Sequence, residues 1–294
     1  MIIETEGLSK RYGRRRGIDD VTLGIGQGEI FGFLGPNGAG KTTTIRTLLG
    51  HLRPTAGRAR IFGLDVTTGQ AAIHRRLGYL PGEFGLYDRL TGAQTADFFG
   101  RLYGGVDRAY RDRLMERLGV DPGRRFRELS KGNKQKIGLV VAFQHRPDLL
   151  VLDEPTSGLD PLVQREFHAL VREARDEGRT VFLSSHVLSE VEAVCDRVAL
   201  IRDGRIVRAG SVESLRDLAH HQVLLRFAER VPVDAFAHLP GVSDVEVTGH
   251  TLRLRVSGPM TPVVRAAAAY ELLDFESREP GLEETFLRAY QAAS

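Results

Sequence analysis

An α/β fold with a helical insert, followed by a small α+β domain, is predicted by three features of the chain. The first is the stretch from Ile30 to Gly50, IFGFLGPNGAGKTTTIRTLLG, where a short apolar run breaks into a glycine-rich loop and then a helical pattern. The second is LLVLDEP, ending at Pro155, whose continuous apolarity suits a central parallel strand covered on both faces. The third is a change past about Ser211, where alternating runs and short helical stretches replace the longer elements. At 294 residues the chain can hold one large domain and one small one.

Taken in order, residues 1 to 30 read as strands around turns, at Ile2 to Glu6 and Ile18 to Ile25. Arg14, Arg15 and Arg16 fall between them and read as a solvated hairpin turn rather than an anion site. After the glycine-rich loop, Ile45, Leu48 and Leu49 share a helical face and Gly50 is the stop. Gly57 to Phe62 and Leu77 to Leu80 read as strands, with a short helix over Ala71 to Leu77.

From about 86 to 145 the chain becomes mostly helical. Thr91 and Gln94 make a capping box opening a helix that runs to Gly104. Tyr110, Leu114 and Leu118 recur every four residues before Gly119 closes the next helix. A polar turn, LSKGNKQK from Leu129, feeds another. After LLVLDEP, Asp160 is a helix N-cap and Pro161 the first helical residue, with Val163, Phe167, Leu170, Val171 and Ala174 on one face. TVFLSS is a second buried strand, and Arg197 to Ala209 a hairpin turning at Asp203-Gly204.

The C-terminal strands fall at Gln222 to Phe227, Val242 to Val247, Leu252 to Val256 and Leu273 to Ser277. Helical stretches lie around Val233 to His238 and Pro262 to Tyr270, and a last one at Glu283 to Tyr290. The order β-α-β-β-α-β with a terminal helix suggests a ferredoxin-like domain over 214–294, after a first domain over 1–213.

Composition narrows the function. A net charge of +3 is too slight to argue for nucleic acid, which needs a concentrated basic stripe. The single cysteine, Cys195, excludes an internal disulfide and reads as a buried small hydrophobe of a cytosolic chain. No apolar leader stands at the N-terminus, no run approaches the ~18 apolar residues of a membrane span, and no lipidation signal is visible. Action at a membrane therefore calls for something else to span it.

The loop GPNGAGKT fits the phosphate-loop pattern G-x-x-x-x-G-K-[ST], in the strand-loop-helix context that motif needs. Across the loop Gly35, Pro36, Asn37, Gly38, Ala39 and Gly40, the glycines let backbone N–H groups (Pro36 has none) turn toward phosphate oxygens at a helix N-terminus. Lys41 would reach the β- and γ-phosphates, and Thr42 would ligate Mg²⁺, with Thr43 next in the helix. The motif implies a nucleoside triphosphate. Asp153, ending its hydrophobic strand, is the candidate magnesium-side aspartate, and Glu154 is placed to take a proton from an attacking water. His186, ending TVFLSSH, is a candidate for touching the γ-phosphate.

These motifs, in this order, resemble the nucleotide-binding subunits of ABC transporters over about residues 1 to 210: GPNGAGKTT, LLVLDEP followed by SGLD, and His186 in LSSH. LSKGNKQK corresponds to the family signature LSGGQRQR. The resemblance implies an ABC ATPase core that binds ATP with Mg²⁺. It implies that Tyr12 stacks on adenine and that Ser130 and Gly132 bind the γ-phosphate of ATP held by a second copy, in a head-to-tail dimer. Asp160 would sit at the dimer seam and His186 at the γ-phosphate. The looser likeness of LEETFLRAY, Leu282 to Tyr290, is to single-domain ATPases paired with separate permeases in bacterial drug, antibiotic and lipid export. The chain would then sit peripherally at the cytoplasmic face of the membrane, without nucleic acid. The rival is a soluble ABC-type ATPase acting on ribosomes or DNA.

Two positions depart from the family pattern. Lys131 and Asn133 replace a glycine and a glutamine of the signature. In YLPGE, Gly82 stands where the family usually has a glutamine that reaches Mg²⁺ and water, so either water or Glu83 takes over that role.

Overall fold

Across the arginine-rich turn, β1 (Ile3–Tyr12) pairs antiparallel with β2 (Arg15–Ile25). The computed structural model describes residues 1–13, 15–85, 88–216 and 221–278. These divide into two compact units, Met1–Ala209 and the chain from Gly210 onward.

β3 (Ile30–Leu34) is buried at all five positions, as the unbroken apolar run requires. It feeds α1 (Lys41–Leu48), which buries Ile45 and Leu48. β4 (Ala56–Ile61) and the two-residue β5 (Leu64–Asp65) complete an antiparallel sheet of order β2-β1-β4-β5. α2 (Gln70–His74) stops short of the predicted Leu77, because Leu77 already belongs to β6 (Leu77–Leu80).

The helical insert follows the capping signals. In α3 (Gly92–Leu102) Thr91 Oγ1 accepts from the Gln94 N–H, and Gln94 Oε1 accepts from the Thr91 N–H, so both halves of the box are made. Gly104 and Gly105 both have positive φ, which ends the helix just before the predicted boundary. α4 (Arg108–Arg117) buries Tyr110 and Leu114, and α5 (Lys131–Phe143) starts at the cap Ser130. Phe126, Leu129, Ile137 and Val141 form the insert's own core.

β7 (Leu149–Asp153) is fully buried, and α6 (Pro161–Asp176) opens on Asp160, whose carboxylate accepts the Leu162 and Val163 N–H groups. β8 (Thr180–Ser185), α7 (Leu188–Val194), β9 (Arg197–Arg202) and β10 (Arg205–Ser211) finish the large sheet, of order β10-β9-β3-β8-β7-β6. Its β9-β3-β8-β7-β6 neighbours run parallel. Phe31 and Phe182 stack between adjacent strands, ring centroids 6.0 Å apart. The Cys195 side chain is buried just past α7, and burial pushes its thiol well above the ordinary range, so it is inert.

After α8 (Val212–Arg216) come β11 (His221–Phe227), α9 (Asp234–Ala237), β12 (Val242–Thr248), β13 (Thr251–Val256), α10 (Thr261–Ala267) and β14 (Leu272–Arg278). Their sheet has order β12-β13-β11-β14, every neighbour antiparallel. Val223, Leu225, Phe227, Leu252, Leu254 and Phe236 form a core belonging to this unit alone. The predicted helix at Glu283 to Tyr290 lies outside the described residues. Among the described residues no helix is long and apolar enough to cross a membrane.

Candidate active site

The parallel sheet brings its C-terminal strand ends together, where open α/β sheets bind ligands. β3 enters the loop Gly35 to Gly40 and α1 starts at Lys41. Gly40 has φ 111°, and a Cβ there would stand 2.9 Å from the Gly17 carbonyl, so the loop passes only with glycine at that point. Lys41 is buried, its Nζ donating to the Gly35 carbonyl at 2.6 Å and lying 3.0 Å from Glu154 Oε1.

The acids of β7 are gripped from several sides. Thr42 Oγ1 donates to Asp153 Oδ2 at 2.8 Å, while Ser184 Oγ donates to Asp153 Oδ1 at 2.5 Å. The same Ser184 oxygen accepts the Glu154 N–H at 3.1 Å. Glu154 sits at φ 50°, a left-handed conformation that costs a non-glycine residue about 1–3 kcal/mol and persists only where its surroundings impose it. Gln135, buried in α5, supplies the other restraint by donating Nε2 to the Glu154 and Pro155 carbonyls, each at 3.2 Å. The Glu154 carboxylate thus lies between Lys41 and His186, whose Nδ1 is 2.7 Å from Oε2. Beside Asp153, burial first and then that carboxylate's charge push the Tyr79 hydroxyl up to about 12.

A cleft of about 270 Å³ is lined by Tyr12, Asn37, Gly38, Gly40, Lys41, Thr42, Thr43 and Glu154. Two further lining residues are Gly17 and Arg16, the latter solvent-exposed as the turn reading expects. A Cβ on Gly17 would stand 2.8 Å from the Tyr12 ring, so this glycine makes room for the aromatic.

Ser130, Gly132 and Asp160 do not line the cleft. They gather instead where α5 starts against the loop after Pro155. A Cβ on Gly132 would meet the Gly158 carbonyl at 2.3 Å, so the two backbones touch directly there. Lys131 Nζ donates to Ser157 Oγ at 2.9 Å, which is what the departure from the signature glycine does in this chain. Hydrogen bonds from the Val163 N–H and the charge of Lys136 hold the Asp160 carboxyl below its usual range. Gly82 lies beside the acids, where a Cβ would come 3.4 Å from Asp153 Oδ2, and Glu83 is exposed.

The donor set suits magnesium with a nucleotide. Thr42 Oγ1 and Asp153 Oδ2 are hard oxygens side by side. No three His, Cys, Asp or Glu side chains converge as a metal cage among the described residues. A cation held by two protein oxygens completes its shell with phosphate and water, which is magnesium's habit at such sites.

Residues 18–157 match the family described as ABC transporter. The Escherichia coli (strain K12) protein named "Probable multidrug ABC transporter ATP-binding protein YbhF" is 38% identical over 220 residues, 73% of this chain. This chain spans only 38% of that protein's length. "Daunorubicin resistance ATP-binding protein DrrA3" of Streptomyces coeruleorubidus is 36% identical over 302 positions, covering 97% of this chain and 94% of that protein. The chain belongs to the ABC transporter ATP-binding proteins. A solved "ATP binding subunit of ABC transporter" superposes with a TM-score of 0.68 at 31% identity, over 74% of this chain and 92% of that one. The family match over residues 18–157 lies within the first unit, and the DrrA3 alignment, at 97% of this chain, takes in most of the second as well. Ser184 and Gln135 were not among the expected site residues. Each is an ordinary polar residue within a longer run, and only strand register and helix docking bring it to the acids.

Proposed function

We propose that this protein is the ATP-hydrolysing subunit of an export-type ABC transporter, working as two copies beneath a separate permease. The observation that carries the reading is the Lys41–Glu154–His186 array beside the Thr42–Asp153 pair. Loop N–H groups and Lys41 would hold the β- and γ-phosphates, and Tyr12 would stack on the adenine. Arg16 adds a cation to the same cleft. Magnesium, when bound through Thr42 and Asp153, would neutralise charge on the phosphate oxygens. Phosphate arriving at Lys41 competes with Glu154 for the ammonium, leaving that carboxylate to take a proton as water attacks the γ-phosphorus. The bond to the ADP oxygen then breaks, with His186 positioned at the γ-phosphate.

Ser130, Gly132 and Asp160 lie outside the cleft, which supports their serving the ATP of a second copy rather than their own. The start of α5 presents N–H donors to that phosphate. For the permease, an apolar groove of about 270 Å³ runs between the insert and the sheet, lined by Leu49, Tyr79, Phe84, Phe99, Tyr103 and Val141. Its apolar lining could receive one or two side chains from the apolar face of a permease helix, and such docking would place the protein peripherally at the cytoplasmic face of the membrane. We read the second unit as ferredoxin-like, a reading supported by its sheet order, and as joining subunit to subunit. The names of the relatives, given for drug export and resistance, favour this reading over action on ribosomes or DNA.

Turnover tests it. Glu154→Gln should still bind ATP and lose roughly 10²–10⁴-fold in hydrolysis. Equal rates for the variant and the native chain would refute the assignment of Glu154 as base.

A further inference from the structure

Ser184 lies at the middle of the acid pair without belonging to any motif that defines it. The register of β7 and β8 sets Asp153 directly opposite Ser184. The serine is wholly buried, and its single hydroxyl is shared between the two neighbouring acids. The hydroxyl hydrogen goes to Asp153 Oδ1 at 2.5 Å, and the lone pair receives the Glu154 N–H at 3.1 Å. A buried serine needs partners wherever it sits, and a strand offers backbone carbonyls for that purpose. Here both partners are instead the groups on which the reaction depends.

The next residue supplies the contrast. Ser185 Oγ donates to Glu190 Oε2 at 2.7 Å and accepts the Val187 N–H at 2.9 Å, a local arrangement at the end of β8. It touches neither acid. Two adjacent serines of one strand therefore have separate roles, fixed by the alternation of strand faces.

We infer that Ser184 is a positioning residue that sets both acids at once: it aims the Asp153 carboxylate at the Thr42 side and fixes where the Glu154 backbone leaves the strand. With Oδ1 occupied by Ser184, Oδ2 is the oxygen turned to Thr42, and this pair is the one suited to a divalent cation. The Glu154 N–H bond holds the chain as it enters φ 50°. Loss of the hydroxyl leaves a carboxylate oxygen and an N–H without partners in a closed interior, so both groups shift to find others.

The inference rests on the reading of Asp153 and Glu154 given above, and the test separates the two. Mn²⁺ in the presence of ATP is followed by electron paramagnetic resonance, ATP binding in EDTA by a fluorescent analogue, and hydrolysis by phosphate release. Ser184→Ala should raise the half-saturating Mn²⁺ about 10–100-fold and lower kcat, with metal-free ATP binding unchanged. Ser184→Cys, close to isosteric with a weak S–H donor, should shift Mn²⁺ binding in the same direction by less, and it serves if the alanine variant fails to fold. Ser185→Ala should bind Mn²⁺ like the native chain. Native Mn²⁺ binding by a folded Ser184 variant, with Glu154→Gln inactive, overturns the role of Ser184 alone. Native hydrolysis by Glu154→Gln overturns the reading of the acids beneath it. Equal losses of Mn²⁺ binding in the Ser184→Ala and Ser185→Ala variants would mean that the strand end is disturbed as a whole, and would also overturn it.

Discussion

Gly82 shows how one missing side chain alters the site. Its Cα faces Asp153, with room for a Cβ at 3.4 Å from Oδ2, so a longer polar side chain there would reach the cation and its waters. Gly82→Gln should therefore raise basal hydrolysis several-fold, read by phosphate release at saturating ATP. Glu83 is exposed, and Glu83→Ala should leave the rate near native, with water serving at the Gly82 position. A large loss in Glu83→Ala would instead assign the role to that carboxylate. Other residues of the site differed in how far the sequence announced them. Lys41, Thr42, Asp153 and Glu154 were legible because a phosphate loop and an apolar strand ending in acids each carry their own local signal. Arg16 was not, because a run of arginines carries no local signal that Arg16 lines the cleft. Gln135 and Ser184 act through partners 19 and 31 positions away, distances over which local pattern says nothing.

At the level of elements, the caps were readable in advance: Thr91 with Gln94, and Asp160 with Pro161, mark helices that form where their side chains accept backbone N–H groups. What could not be read is how α5 meets the loop after Pro155. That contact has no side-chain clearance at Gly132, whose added Cβ would strike the Gly158 carbonyl at 2.3 Å, so a backbone must move. Gly132→Ala should keep ATP binding to the isolated chain and lose at least tenfold in hydrolysis, because the displaced helix start no longer meets a second copy's phosphate. Native turnover in that variant would show that the signature turn takes no part.

Farther from the chemistry, His145 ties the helical insert to β6, its ring stacked on Tyr103 at 3.6 Å and its Nε2 3.2 Å from the Leu77 carbonyl. Burial lowers its pKa to about 4. The unfolded chain binds this proton near 6.5, so the folded state loses stability as pH falls from about 6.5 to about 4, by roughly 2–4 kcal/mol. His145→Phe keeps the stack and should flatten the decline in urea stability over that window. It should not abolish it, since burial lowers the pKa values of His51 and His168 as well. An unchanged slope would remove His145 from the account.

For the whole molecule, the division into two units follows from two separate cores. One is built on Phe31, Phe33 and Phe182, and the other on Phe227, Phe236 and the β11 and β13 leucines. In the sequence, the hydrophobic spacing also changes near Ser211. In the first unit, the cleft carries the loop, Lys41 and Glu154, while Ser130, Gly132 and Asp160 stand apart from it. Under the proposed function the site is completed when two copies close head-to-tail over ATP, so blocking hydrolysis should trap that closed pair. Sedimentation velocity of Glu154→Gln with ATP and Mg²⁺ measures this directly. The expected result is a dimer with ATP that returns to monomer with ADP, and that is lost again when Ser130→Phe is added. A species that stays monomeric with saturating ATP, or a dimer indifferent to both nucleotide and Ser130→Phe, would contradict it.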